Sequence, residues 1–293
     1  MSAVVSESLR VVPMKAPIGA EVLGVDLSQD LDIEVMRQIE AAYDRYSVLV
    51  FRDQRIIPEE QIRFSAHFGS LETHVLKSYL LSGYPEILVV SNIPDDKGRF
   101  IGLPDAGRTW HTDTSYRQKP SRGSVLYALE IPHAPDGRPL GDTLFAGTAP
   151  AYDDLPEEMK TLLDGKRAVH CYAQRKRIAG SQRAKLTREQ LDQTPDVAHP
   201  VVRTHPNTGR KALYVFEGEC VGIEGLPEEQ ALDMIASLTG HCIQSKYVYR
   251  HVWRKGDVVM WDNAATLHLA TGDFEWPQRR LLHRTTTEGG IPC

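Results

Sequence analysis

The sequence predicts a mainly β fold with flanking helices, its many short strands closing into a sandwich or barrel. Three observations carry this. Short apolar, β-branched segments recur along the 293 residues, separated by turns rich in Gly and Pro. Helical periodicity is confined to a few stretches. Neither an internal repeat nor a clean linker divides the chain, so residues 1–293 read as a single domain.

The bulk numbers exclude several classes. Hydrophobic content of 41% and charged content of 25% are those of an ordinary soluble globular chain. A net charge of -5, with Arg and Lys scattered among acids, argues against a nucleic-acid partner. Arg175-Lys176-Arg177, with Arg183 and Lys185, is the one basic cluster and reads as a solvated loop. Cys171, Cys220, Cys242 and Cys293 form no C-x-x-C pair, which suits a reducing compartment and neither a zinc knuckle nor a disulfide framework. No segment approaches the ~20 apolar residues of a membrane span, and the N-terminus lacks a signal-peptide core. The expectation is a cytoplasmic protein without a membrane partner.

Taken in order, residues 8–30 alternate apolar and polar around Pro17, Gly19 and Gly24, as short strands do. Val35, Met36, Ile39, Ala42, Tyr43 and Tyr46 fall at helical spacing between Asp32 and Tyr46. Ser47 to Phe51 is a buried strand. A second helix opens near Pro58, carries its apolar face from Gln61 to Phe68 and stops at Gly69. Residues 70–110 hold a strand at Ile87 to Val90 in a stretch long enough to be a functional loop, and 74–108 is a candidate lid. Strands are predicted from Gly123 to Ile131 and from Gly141 to Ala146, with a loop over 132–139 between them. A helix is expected over Ala151 to Leu163, ending at Gly165. Polar residues 173–197 read as an insertion able to cover a site. A hairpin joins Val201–Thr204 to Ala212–Val215, a last helix spans Pro227 to Cys242, and strands follow at Tyr247–Trp253, Asp257–Trp261 and Leu281–Thr286.

The chemistry centres on Trp110-His111-Thr112-Asp113. In an extended segment alternate side chains share a face, so His111 and Asp113 point the same way. An imidazole beside a carboxylate is two-thirds of a 2-His-1-carboxylate facial triad, which holds Fe(II) and leaves positions open. A surface hydrogen-bonding pair is the plainer reading of that motif alone. The third ligand is His268, 157 residues on, after Trp261-Asp262-Asn263; a barrel brings such distant strands together. Arg280, twelve residues past His268, carries the planar fork that grips a carboxylate bidentately. Trp110 and Trp261 read as packing around the metal, and His199, His205 and His283 as structural.

As an ordered set, further motifs carry a resemblance. These are Gly24-Val25-Asp26-Leu27, Phe68-Gly69, Gly141-Asp142-Thr143, His199-Pro200-Val201-Val202-Arg203-Thr204-His205-Pro206 and Gln278-Arg279-Arg280, together with the two clusters above. Over nearly its whole length the chain resembles the taurine dioxygenase (TauD/TfdA) group of Fe(II)- and 2-oxoglutarate-dependent dioxygenases. The resemblance implies a double-stranded β-helix (jelly-roll) core. It implies that His111, Asp113 and His268 ligate Fe(II), and that Arg280 and Thr143 bind the distal carboxylate of 2-oxoglutarate. It further implies O2-dependent hydroxylation of a small anionic substrate with release of succinate and CO2, in a homodimer or homotetramer. Where the hydroxylated carbon bears a heteroatom, the product would fragment.

Two residues match substrate positions of the family: Arg284, which would pair with a sulfonate or carboxylate, and His74. Three positions depart from the taurine pattern. Gly107 and Lys77 stand where those enzymes carry polar and polar-aromatic side chains, and Glu219 stands where an aromatic lines the pocket. Glu219 near Arg284 would favour a zwitterionic or amine-bearing substrate. The candidate substrates are sulfonates, aryloxy or alkoxy acids, sulfate esters and amino-acid-like compounds. A halogenase is disfavoured because Asp113 occupies the place a halide needs. A zinc-dependent hydrolase would leave Arg280 and Thr143 without a purpose, and the intact triad counts against a non-catalytic binding protein on the same barrel.

Overall fold

The computed structural model describes residues 9–173 and 187–293. Two sheets face each other. The larger has eight strands in the order Arg10–Pro13, Ala20–Leu23, Val48–Phe51, Val258–Asp262, Gly123–Glu130, Leu281–Thr287, Tyr84–Ser91 and Leu80–Leu81. The smaller has three, Val248–His251, Thr143–Gly147 and Thr266–Ala270, with Thr143–Gly147 central. Pairing is antiparallel except between Ala20–Leu23 and Val48–Phe51.

Period-two alternation in these strands separates two cores. Val48, Val50, Leu126, Ala128, Val259 and Trp261 pack between the sheets with Phe145, Tyr249 and Trp253. Their neighbours Leu49, Phe51, Val125, Tyr127, Val258 and Met260 pack outward against Met36, Ile39, Tyr43, Phe64 and Phe68. Both faces are therefore buried, which is why the segments read as continuous apolar runs. Each such side chain contributes about 1.5–3 kcal/mol, so a one-residue slip, which would exchange every inward and outward residue, is strongly disfavoured. The outer layer is supplied by the helices Ile33–Tyr46, capped by the Asp32 carboxylate on the Val35 amide at 2.9 Å, and Pro58–Ala66.

A third cluster packs the helix Glu228–Cys242 against Leu155, Leu163, Val201, Leu213 and Leu267. The expected helix from Ala151 to Leu163 is instead two, Thr148–Asp153 and Glu157–Leu163. Pro156 breaks it, because its ring disfavours α conformation at Leu155 and it has no amide hydrogen to donate. Within 70–110 the chain is more ordered than a loop: Leu103 exchanges backbone hydrogen bonds with Ser91 (3.2 Å) and Val89 (2.9 Å), extending the sheet edge. Of the 173–197 insertion, Arg188–Asp192 is a short helix, while the basic cluster from Arg175 to Lys185 lies outside the described residues. All four cysteines are free. Among the described residues no helix is long and apolar enough to cross a membrane.

Candidate active site

His111 sits on an isolated antiparallel bridge to His268, at the edge of the smaller sheet. Its amide donates to the His268 carbonyl at 3.1 Å, and the His268 amide donates back at 2.8 Å. The segment is not a strand beyond that bridge. It turns at once, with Thr114 in the left-handed region (φ 52). Asn263 stabilises the turn: its Oδ1 accepts from the Thr112 hydroxyl (3.1 Å), the Asp113 amide (3.3 Å) and the Trp261 indole (3.1 Å). Backbone pairing from one side and an amide clamp from the other thus carry Asp113 to the pair of imidazoles. The ligand atoms of His111, Asp113 and His268 lie within 4.8 Å of one another, and the two rings are 4.1 Å apart.

The donor set suits a divalent metal. His111 Nδ1 lies 2.7 Å from the Thr109 carbonyl and 3.1 Å from that of His268. A carbonyl only accepts, so Nδ1 holds the proton and the ligating lone pair is on Nε2. His268 is buried, with Nε2 3.9 Å from Asp113 Oδ2 and Nδ1 without a hydrogen-bond partner. Burial, reinforced by His111 and Arg284, pushes its pKa well below the ordinary histidine value, so the ring is neutral. Burial acts to raise Asp113, but Arg284, the two histidines and the Ser124 hydroxyl outweigh it and hold the carboxyl well below its usual range. A neutral His268 imidazole and an ionised Asp113 carboxylate need shed no proton to bind a cation.

Both carboxylate oxygens of Asp113 are engaged. Arg284 Nη1 lies 2.7 Å from Oδ1, and Ser124 donates its hydroxyl to Oδ2 at 2.7 Å. Arg284 Nε is buried and has no partner.

Arg280 is 4% exposed and pays out little of its hydrogen-bonding capacity: Nη2 reaches the Gly141 carbonyl only at 3.5 Å, and Nε has no partner. Burial, then the charge of Arg108, bring its pKa down to about 10. Such an uncompensated buried guanidinium awaits an anion. Thr143 is buried on the central strand of the smaller sheet, and its hydroxyl accepts the Trp253 indole N–H at 3.0 Å. Its own proton is thereby left to donate.

Of the substrate candidates, Arg284 touches the centre directly through Asp113. His74 lines a cleft of about 810 Å³ with Lys77, Tyr116, Arg117 and Asp196. Arg117 pairs with buried Glu72 at 2.6 Å, and Glu72 lies close enough to Asp113 and Arg284 to feel both charges. Glu219 is buried and accepts the Ser115 hydroxyl at 2.6 Å. It lies close enough to Tyr116 to act on it electrostatically, whereas the ion pair of Arg284 is with Asp113. Gly107 takes φ 71, and a Cβ there would stand 3.1 Å from His111 Cε1, so a side chain would be strained and would press on the metal-site ring. Trp261 and Phe145 wall the site, with ring centroids 4.9 and 6.2 Å from that of His268. Sequence reasoning missed Ser124, Trp253 and the clamping role of Asn263; only Asn263 left a signal, in its adjacency to Trp261-Asp262.

The family described as "Taurine catabolism dioxygenase TauD, TfdA family" matches residues 10–286. The chain belongs to that family. It is 36% identical to an alpha-ketoglutarate-dependent 2,4-dichlorophenoxyacetate dioxygenase of Burkholderia sp. (strain RASC), over 87% of this chain and 86% of the relative. An alpha-ketoglutarate-dependent sulfate ester dioxygenase of Pseudomonas putida is 33% identical, over 97% and 91%. Among solved structures, AAD-2 in complex with Mn(II) and N-oxalylglycine superposes with a TM-score of 0.80 at 28% identity, over 98% of this chain and 99% of that one. The protein is therefore a 2-oxoglutarate-dependent non-heme iron dioxygenase with a jelly-roll fold, using Fe(II), 2-oxoglutarate and O2.

Proposed function

We propose that this dioxygenase hydroxylates a small organic acid of the aryloxy-acid, alkoxy-acid, sulfate-ester or sulfonate class, with His111, Asp113 and His268 holding the iron. The observation that carries the reading is buried Arg280, with Nε unpartnered, and half-buried Arg284, paired with Asp113 through Nη1 but with a buried, unpartnered Nε, together with the His-Asp-His cluster. A keto diacid and an anionic substrate together need two cationic anchors.

Bound iron, with O2 and 2-oxoglutarate, supplies the oxidant that breaks a substrate C–H bond, the keto acid leaving as succinate and CO2. The protein's part is positioning. Arg280 takes the distal carboxylate through its fork, and Thr143, its acceptor side occupied by Trp253, donates to the same group. Ser124 fixes the Asp113 carboxylate so that one oxygen stays turned to the metal; a hydrogen bond to a charged group of this kind contributes about 1.5–3 kcal/mol. Arg284 keeps Nη1 on Asp113 and offers Nε to the substrate anion. The substrate body extends toward the cleft at His74, and Trp261 and Phe145 exclude water from the metal face. Glu219, beside Tyr116, favours substrates that also carry a positive charge. Hydroxylation at a carbon bearing oxygen, nitrogen or sulfur would cleave that bond. We read the whole chain as one domain, cytoplasmic and dimeric or tetrameric, with 74–108 and the insertion around 187–197 bordering the substrate cleft.

The test is anaerobic reconstitution with Fe(II) and 2-oxoglutarate. A weak visible charge-transfer band should appear only with both, and should be lost in Arg280→Ala at concentrations that saturate the wild type. Sulfonates, aryloxy acids, sulfate esters and amino acids are then screened for perturbation of the band and for succinate release under O2. No band, with tight zinc binding in its place, would overturn the assignment of these residues.

A further inference from the structure

A second guanidinium stands beside the co-substrate anchor. Arg280 Cζ lies 5.5 Å from the centre of the Phe274 ring, and Arg108 Cζ lies 5.7 Å from the same ring. Arg108 is half-buried, and among the described residues no carboxylate pairs with it. The one acid that acts on Arg280 is Asp273, whose Oδ1 is occupied by the Gly141 amide (2.7 Å) and the Thr271 hydroxyl (2.9 Å). Two like charges converge here with one carboxylate, Asp273, to offset them.

The backbone is shaped to keep them there. Gly272 takes φ 62, and a Cβ on it would fall 2.7 Å from Arg108 Nε and 3.0 Å from its Cζ, so the guanidinium lies against bare backbone. A Cβ on Gly141, at φ 76, would meet Phe274 at 3.0 Å and Arg280 Nε at 3.2 Å. The same glycines hold one aromatic ring and two cations in one nook. Like charges brought together with too few counter-ions cost free energy, and a fold that retains them supplies the missing anion as a ligand.

We propose that Arg108 is a second cation of the 2-oxoglutarate site, acting on the distal carboxylate that Arg280 grips and discriminating in favour of keto diacids. The inference rests on the role given to Arg280 above. Arg280 supplies the bidentate contact; half-buried Arg108, next to Gly107, adds charge at longer range. Phe274 stacks on both guanidiniums and keeps water from bridging them.

The experiment titrates the anaerobic Fe(II) protein by its charge-transfer band with two keto acids, 2-oxoglutarate and 2-oxopentanoate. The second replaces the distal carboxylate by a methyl group and keeps the chelating end. Arg108→Gln should weaken 2-oxoglutarate roughly 10-fold, leave 2-oxopentanoate within about twofold, and show a smaller difference as salt rises. Arg108→Lys should recover most of the loss. Equal weakening of both keto acids would mean that Arg108 only packs on Phe274 and would overturn the proposal, as would no change in either. Arg280→Ala separates the two levels. If it too fails to distinguish the keto acids, the placement of the distal carboxylate is wrong and Arg108 falls with it; if it distinguishes them while Arg108→Gln does not, only Arg108 is refuted.

Discussion

Among the described residues, two clusters of imidazole and carboxylate have three potential ligand atoms within 4.8 Å: His111, Asp113 and His268, and Asp44, His205 and Asp262. By composition and spacing they are near equals. They differ in how their polar atoms are satisfied. His205 Nδ1 accepts the amides of Asn207 (3.3 Å) and Thr208 (3.1 Å), so Nε2 carries the proton and donates it to Asp262 at 2.7 Å. Asp262 Oδ1 takes the Ala264 amide at 2.7 Å, and Asp44 takes the Asn207 side-chain amide. That network is closed and ties a hairpin turn to the strand beside it. In the first cluster, His268 Nδ1 and Arg284 Nε are buried without partners, and Arg280 waits nearby in the same condition. Proximity makes a cluster. Unmet hydrogen-bonding capacity makes a candidate site.

The comparison breaks first at the carboxylates. Asp113→Ala should abolish iron binding and lower turnover by more than the roughly 100-fold that loss of an outer-shell partner costs, with the fold retained by circular dichroism. Iron bound at full stoichiometry in that variant would show that the wrong cluster has been chosen. His205→Ala should do the opposite. It leaves a buried carboxylate oxygen and two amides without partners, a loss of about 2–3 kcal/mol, which lowers the melting temperature by roughly 3–5 °C while one iron per chain remains. A melting temperature unchanged within a degree would refute the structural role.

The smallest effect concerns pH. Burial pushes His283 down to about 4 and His170 down to about 3, against an ordinary value of 6.5. The unfolded chain therefore takes up protons below about pH 6.5 that the folded chain refuses, and stability falls as pH drops from 6.5 toward 4. Above 6.5 both states hold neutral rings and these residues contribute no slope. Melting temperatures from pH 7.5 to 4.5, on the wild type and on His283→Gln, should show a shallower acid decline in the variant; identical curves would remove His283 from the account.

Much of this was legible in the chain. Val48 to Phe51 and Val258 to Asp262 are apolar on both faces, and so declared themselves as central strands. His111, Asp113, His268, Thr143 and Arg280 came from motif order, and the first three do come together, although the His111 segment is a single bridge and a turn where an extended strand was expected. Three things were hidden. The break at Pro156 is local, but the helical periodicity ran across it. The strand Thr266–Ala270, which carries His268, is short, and part of its burial comes from Phe145, far away in sequence. Ser124, Trp253 and Arg108 gain their meaning only from what packs against them, and nothing in their neighbours announces it.

The bridge between His111 and His268 has a consequence for how the site is assembled. Its two hydrogen bonds belong to the backbone and ask nothing of either imidazole. The chain must close a loop of 157 residues to form them, helped by the Asn263 clamp on the neighbouring Thr112 and Asp113. The bridge thus joins ligands from two distant parts of the chain through atoms that are not the ligating ones, and iron bound to the folded state would add to its stability by mass action. For such a protein, the fraction of chains able to take up iron is a direct count of those in which the two halves of the polypeptide have met.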